Sequence, residues 1–114
     1  MDEDSLLVTI SQSGETADTL AALRYGKEKK YISTLSICNV PTSSLARESD
    51  YSIFTNAGPE IGVASTKAFL GQMLVLYLLS LKISDIRNDM QNDEYKKKIS
   101  ELKKLPTLII EALK

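Results

Sequence analysis

The feature that most constrains this fold is a short apolar run that ends at a Ser-Gly turn and continues at once with helical spacing. The run covers residues 5–11, is partly β-branched, and stops at Ser13-Gly14. From Thr16 onward, Leu20 and Leu23 recur at the spacing of a helix, which we expect to end within residues 26–30. A second apolar run follows at residues 31–38. Strand, helix and strand joined by short connections are typical of a parallel sheet covered by helices.

The remaining elements are predicted from the same periodicities and from turn residues. They are a short helical turn at residues 45–48 capped by Ser43 or Ser44, a strand at 51–55, a long helix from Val63 to about Lys82, and two amphipathic helical stretches at 94–105 and 106–113. The long helix is apolar on nearly all sides, so we expect it to be buried in a large core or against a partner subunit. The predicted fold class is α/β: a three-layer α/β/α domain with a parallel sheet, incomplete within this chain and ending in C-terminal helices.

Charge and composition exclude several classes of function. The chain has 14 Lys and Arg against 15 Asp and Glu, which gives no basic surface for nucleic acid. It contains no His, so it holds no His-based triad, no His general base and no His-ligated metal. The single Cys38 permits neither an internal disulfide nor a multi-cysteine zinc site. We therefore expect no metal, no cofactor, and a reducing, cytoplasmic location.

The chain shows no targeting or membrane-spanning pattern. Its acidic first residues lack the basic and then apolar pattern of a signal peptide. The longest apolar stretch, residues 68–81, is interrupted by Gly71, Gln72 and Ser80 and falls short of the about 20 residues that span a bilayer. We therefore expect no membrane contact.

Residues 11–16, here called the first loop, are the segment most able to bind a ligand. They lie where a strand ends and a helix begins, at the sheet edge where open α/β folds hold ligands. The unpaired N–H groups of a first helical turn favour phosphate, and the loop adds hydroxyls and the Gln12 amide. Gly14 permits a close backbone approach or a positive φ. Spacing alone favours a simpler interpretation, in which Ser13 is an ordinary N-cap and Glu15 complements the helix dipole.

Residues 57–67, the second loop, also precede a helix and are rich in polar groups. They include Ser65, Thr66, the Glu60 carboxylate and the Lys67 ammonium. Two such loops facing one crevice suit a phosphorylated polyol, with one loop for the phosphate and one for the hydroxyls. The sequence has neither G-x-x-x-x-G-K-[ST] nor G-x-G-x-x-G, which argues against nucleoside triphosphates and dinucleotides.

Together these segments carry a resemblance to a known family. Ser-Gln-Ser-Gly-Glu-Thr at 11–16, followed by Ala-Gly-Pro-Glu-Ile-Gly-Val-Ala-Ser-Thr-Lys-Ala-Phe at 57–69, resembles the sugar isomerase (SIS) domain of the glutamine–fructose-6-phosphate aminotransferase family. Residues 37–40 and 43–48 match the same family. The resemblance implies a partial, flavodoxin-like SIS sugar-phosphate-binding domain at residues 5–92. It also implies a helical connector at 93–114 that leads to a second SIS domain.

The resemblance also implies roles for individual residues. The substrate-binding positions are Ser11, Gln12, Ser13 and Thr16 for the phosphate of fructose 6-phosphate or glucosamine 6-phosphate, and Val63 and Ser65 for the sugar end. The family's proton-transfer and Schiff-base residues fall beyond Lys114, so no catalytic residue is expected within the chain, and this portion alone is expected to be inactive. The resemblance further implies a homodimer.

The resemblance favours the isomerase portion of an aminotransferase that makes glucosamine 6-phosphate from fructose 6-phosphate and glutamine. A SIS-type fructosamine-phosphate deglycase or ketose-phosphate isomerase is an alternative, since Pro41-Thr42 and Asn56 depart from the family's pattern. A non-catalytic sugar-phosphate sensor is another, although the sequence shows neither a helix-turn-helix nor a basic face. Glu60 and Lys67 are the only loop residues suited to proton transfer.

Overall fold

A computed structural model of the chain describes residues 4–29, 31–62 and 65–114. The elements run in the order β1 (Leu6–Ser11), α1 (Ala17–Glu28), β2 (Ser33–Cys38), α2 (Ser44–Glu48), β3 (Tyr51–Phe54), α3 (Lys67–Ile86), α4 (Asn92–Leu102) and α5 (Leu105–Ala112). The chain forms two compact units, the first ending at Leu76 and the second covering Tyr77–Lys114, so that α3 contributes to both.

The three strands form one parallel sheet in the order β1-β2-β3. In the register, Ser11 at the end of β1 pairs with Cys38, and Cys38 pairs in turn with Phe54 at the end of β3. The carboxyl ends of all three strands therefore lie side by side. The predicted α/β class with a parallel sheet is confirmed, and the sheet edge that the sequence indicated as the ligand-binding edge exists.

Helices α1 and α2 cover one face of this sheet, with α1 against β1 and β2 and α2 against β2. The buried core between them consists of Leu20, Leu23, Cys38 and Leu45, with Leu7, Ala46 and Phe54 packed against it. Because side chains alternate along a strand, β1 buries Thr9 and Ser11 and leaves Leu6, Val8 and Ile10 exposed. The central strand β2 is buried along nearly its whole length.

Helix α2 is capped by one hydrogen bond and joined to α1 by an ion pair. Ser43 is its N-cap and accepts a hydrogen bond from the Ala46 amide at 3.4 Å, which confirms the predicted cap. The Arg24 guanidinium of α1 donates to both carboxylate oxygens of Glu48, at 2.8 and 2.6 Å. This paired geometry joins α1 to α2.

Helix α3 differs from its prediction at both ends. It begins at Lys67 rather than Val63, which lies outside the described residues together with Ala64, and it continues to Ile86. By length and composition, α3 could cross a membrane: a window of 18 residues within it has a mean hydropathy of 1.5, and 6% of that window is buried. The apolar stretch at residues 68–81 is shorter than the helix that contains it, so its length did not indicate the length of the helix. Long core helices pass the same test, and the absence of membrane contact stays a prediction.

Much of the apolar surface of α3 is exposed. Its large exposed side chains are Phe69, Leu70, Met73, Tyr77, Leu78, Ile83 and Ile86. We expected this helix to be buried in a large core or against a partner subunit; within the described residues much of it is exposed, and its burial against a partner stays a prediction.

In the second unit, α4 and α5 follow the predicted amphipathic stretches. Pro106 lies in the first turn of α5, where its missing N–H costs no intrahelical hydrogen bond. The Lys98 ammonium lies 3.6 Å from the Glu94 carboxylate, one turn earlier in α4. The division into residues 5–92 and 93–114 stays a prediction.

Candidate functional site

The first loop is a tight turn organised by its own hydroxyl groups. The Ser11 Oγ accepts a hydrogen bond from the Gly14 amide at 3.1 Å and lies 3.0 Å from the Thr16 Oγ1. The Ser13 Oγ accepts from the Glu15 amide at 3.1 Å. Gly14 has a φ of 68°, in the left-handed region that glycine adopts without strain. The hydroxyls are thus already oriented before a ligand arrives.

The N-terminus of α1 is not capped as the spacing favoured. Thr16, not Ser13, is the N-cap residue, and its side chain accepts no capping hydrogen bond. The prediction of a Ser13 cap is wrong because the Ser13 hydroxyl is engaged by the Glu15 amide, outside the helix. The first turn of α1 therefore keeps backbone N–H groups without a side-chain cap, which is the arrangement that favours an anion.

Glu15 stabilises a different helix from the one predicted. Its carboxylate accepts a hydrogen bond from the Ser44 amide at 2.7 Å, at the start of α2. This hydrogen bond lowers the pKa of Glu15 below its ordinary value. The Gly14 carbonyl accepts from the Leu45 amide at 3.0 Å, so the first loop is bound to α2 through two neighbouring residues.

A cavity of about 590 Å³ lies at the carboxyl edge of the sheet, within the size range of small-molecule sites. It is lined by Gln12 of the first loop, by the segment after β2 and by the start of the second loop, namely Asn39, Val40, Pro41, Asn56, Gly58, Pro59 and Glu60. The structure therefore brings Gln12 of the first loop and residues 58–60 of the second loop to one crevice.

Glu60 links the second loop to the start of α3. Its two carboxylate oxygens accept hydrogen bonds from the Thr66 hydroxyl at 3.2 Å and from the Ala68 amide at 3.0 Å. The hydrogen bond from Ala68 is the main reason that the pKa of Glu60 is lowered. A carboxylate held ionised as a helix cap is poorly suited to proton transfer near neutral pH. Its role in this structure is to hold the loop.

Asn39, the residue after β2, contacts both loops. Its backbone amide donates to the Gln12 carbonyl at 3.0 Å. Its side-chain Oδ1 accepts from the Ala57 amide at 2.8 Å and the Thr55 hydroxyl at 3.0 Å, and its Nδ2 donates to the Gly58 carbonyl at 2.7 Å. No other residue described above makes hydrogen bonds to both loops.

The predicted site residues fall into three groups. Gln12 lines the cavity, and Ser11, Ser13 and Thr16 lie beside it on the same loop. Ser65 is exposed just before α3 and is not among the lining residues. Val63 lies outside the described residues.

Sequence reasoning missed Asn39 and Asn56 as site residues. Asn39 follows a buried strand and lies in the 37–40 segment that resembles the family, but neither signal assigned it a role in the site. Asn56 was noted only as a departure from the family's pattern; in the structure its φ is 50°. In the part of the chain that the structure describes, no three His, Cys, Asp or Glu side chains cluster so as to hold a metal ion.

The sequence profile of the SIS domain family matches residues 1–82. The chain belongs to the SIS domain family. The predicted family resemblance is thereby confirmed, and the crevice described above lies within the matched part of this SIS domain.

Three relatives show how close the similarity is. The chain is 56% identical over 110 residues to the glutamine–fructose-6-phosphate aminotransferase (isomerizing) of Pseudomonas aeruginosa, covering 96% of this chain and 18% of that protein. It is 62% identical over 84 residues to the enzyme of the same name from Escherichia coli, covering 74% of this chain and 14% of that protein. Among solved structures, the C-terminal domain of the aminotransferase from Francisella tularensis aligns with a TM-score of 0.92 at 50% identity, covering 96% of this chain and 30% of that one.

Proposed function

We propose that this SIS domain chain is the sugar-phosphate-binding, isomerase portion of a glutamine–fructose-6-phosphate aminotransferase. The whole enzyme makes glucosamine 6-phosphate from fructose 6-phosphate and glutamine. The support is the high identity to relatives of that name over nearly the whole chain, which spans 18% of the length of the Pseudomonas aeruginosa relative.

The observation that carries the proposal is the crevice where the first and second loops meet beside an uncapped helix N-terminus. Phosphate binds at the first loop, through the hydroxyls and amides of Ser11, Gln12, Ser13 and Thr16 and the free N–H groups of α1. The sugar end lies toward the second loop, where Ser65 and Val63 are assigned. Neutral donors hold the phosphate, since the cavity-lining residues within the described part of the chain include neither Lys nor Arg.

The chain binds the substrate and leaves proton transfer to residues outside it. Glu60, a loop candidate for that role, is occupied as the cap of α3. A homodimeric assembly, which the family resemblance implies, and a cytoplasmic location, which the single cysteine favours, are part of the same proposal.

A fructosamine-phosphate deglycase is the second candidate function. Pro41 and Asn56, two of the positions that depart from the family's pattern, both line the cavity. Differences at lining positions are where a change of sugar specificity would arise.

Isothermal titration calorimetry tests the proposal, on this chain and on any longer polypeptide that carries it. We expect fructose 6-phosphate to bind more tightly than inorganic phosphate, and plain fructose not to bind. Ser13→Ala and Thr16→Ala should each weaken binding by about 1.5–3 kcal/mol, the contribution of a hydrogen bond to a charged group. Ser100→Ala, at an exposed position of α4, is the matched control. Unchanged affinity in both loop variants would refute the phosphate site, and a preference for a fructosamine phosphate would favour the deglycase.

A further inference from the structure

We propose that Asn39 is a positioning residue that sets the second loop against the first loop and thereby determines affinity for the sugar part of the ligand. The inference rests on the proposed function, because it assigns the phosphate to one loop and the sugar to the other. It adds a residue that acts through the placement of the second loop.

The side-chain amide of Asn39 makes three hydrogen bonds, all to one segment of chain. Its oxygen accepts from the Ala57 amide at 2.8 Å and from the Thr55 hydroxyl at 3.0 Å. Its nitrogen donates to the Gly58 carbonyl at 2.7 Å. These three hydrogen bonds, to Thr55, Ala57 and Gly58, leave the segment little freedom to shift relative to the end of β2.

The segment needs such restraint because of its backbone. Asn56 and Gly58 both have positive φ, at 50° and 70°. Asn adopts this conformation more readily than most residues with a side chain, but it is still sparsely populated and is kept where the surroundings fix it. The bonds from Asn39 lie on Thr55, Ala57 and Gly58 and so enclose Asn56, which lines the cavity.

The backbone of Asn39 makes the connection to the other loop. Its amide donates to the Gln12 carbonyl at 3.0 Å, and Gln12 is the first-loop residue that lines the cavity. Asn39 follows the central, buried strand β2, so its own position is well fixed. The distance between the two walls of the crevice therefore depends on this side chain.

The two walls can be tested separately, because the proposed function assigns the phosphate to the first loop and the sugar to the second. The hydrogen bonds that shape that loop, from Gly14 to Ser11 and from Glu15 to Ser13, do not involve the Asn39 side chain. Asn39→Ala should therefore weaken fructose 6-phosphate binding about tenfold, since an accurately placed loop is lost, and change the affinity for inorganic phosphate less than about twofold. Equal losses for both ligands would overturn the inference, because they would indicate a general role in folding.

Two further variants sharpen the test. Thr55→Val removes one of the three bonds while keeping the side-chain shape, and should reduce sugar-phosphate affinity in the same selective way but by a smaller factor. It replaces Asn39→Ala if that variant does not fold. Asn92→Ala, at an exposed position in the first turn of α4, is the matched control and should alter neither affinity. No selective loss in either Asn39→Ala or Thr55→Val would refute the inference.

Amide hydrogen exchange separates this inference from the proposed function. In Asn39→Ala the Ala57 amide loses its acceptor and should exchange faster, while the Gly14 amide, bonded to Ser11, should keep its rate. Unchanged exchange at Ala57 would overturn the positioning role whatever the ligand. If the wild-type chain binds fructose 6-phosphate no better than phosphate, the proposed function fails, and the exchange result still decides the role of Asn39.

Discussion

Replacing Gly14 by Ala offers a direct test of how the first loop is bound to α2. A Cβ added at Gly14 would lie 2.5 Å from the Cβ of Ser43 and closer still to its Oγ. Ser43 is the N-cap of α2, and the Gly14 carbonyl accepts from the Leu45 amide in the same helix. The added methyl group therefore meets the residue that starts α2, at a place where the loop and helix are already joined.

Gly58→Ala is a matched control for the cost of the positive φ alone. Gly58 has nearly the same φ, 70° against 68° for Gly14, but among the described residues a Cβ there would meet only the Lys67 ammonium, at 3.8 Å. The left-handed conformation costs an Ala about 1–2 kcal/mol at either position. At Gly14 the overpacking adds about 1–3 kcal/mol, because Ser43 must move and its capping bond weakens. We expect Gly14→Ala to lower the free energy of unfolding by about 2–5 kcal/mol and Gly58→Ala by about 1–2 kcal/mol.

Urea unfolding followed by far-UV circular dichroism measures both losses under identical conditions. Adding Ser43→Gly to Gly14→Ala removes the colliding atoms, so the double variant should lose less than the two single losses predict. If Gly14→Ala costs no more than Gly58→Ala within about 0.5 kcal/mol, the first loop is not packed against α2 as described.

Two further predictions concern pH and association. The pKa of Glu60 is lowered from its ordinary value of 4.5, so the stability it contributes is complete above pH 4.5 and is lost as the pH falls through the lowered value. The midpoint of thermal unfolding should fall with pH in that range and fall less steeply in Glu60→Gln, and equal slopes would contradict the cap of α3. Exposed apolar residues of α3 should make the chain self-associate. Sedimentation velocity should show this at increasing concentration and show less of it in a Phe69→Lys/Met73→Lys variant, whereas a compact wild-type monomer would refute it.

Much of the fold was predictable because its signals are local. Apolar runs bounded by turn residues predicted three strands, and apolar residues at helical spacing predicted the helices between and after them. The Ser43 cap was predictable for the same reason, since its partner Ala46 is three residues away. Parallel topology then placed the first and second loops at one edge, because each follows the carboxyl end of a strand.

The sequence was a poorer guide where side chains have distant partners. Glu15 precedes α1 and was predicted to complement that helix, yet its carboxylate binds the Ser44 amide, 29 residues away. Helix α3 was predicted to end near Lys82, yet it continues to Ile86, and Lys82 and Asp85 pair at 2.8 Å within it. The partner of Glu15 is visible only once the chain has folded, whereas the end of α3 was misplaced although Lys82 and Asp85 are close in sequence.

By itself, the sequence determined the alternation of strands and helices, the family, and the edge of the sheet at which a ligand would bind, because periodicity, turn residues and motif order act over a few residues. Only the tertiary structure decided which polar groups stay free for that ligand. Ser13 and Glu15 bind amides that the spacing did not indicate, Asn39 becomes the connection between two loops, and the first turn of α1 is left uncapped. The physical reason is that a hydrogen bond forms where a donor and an acceptor meet at the right distance and angle. Residues far apart in the sequence can meet that condition as well as neighbouring ones.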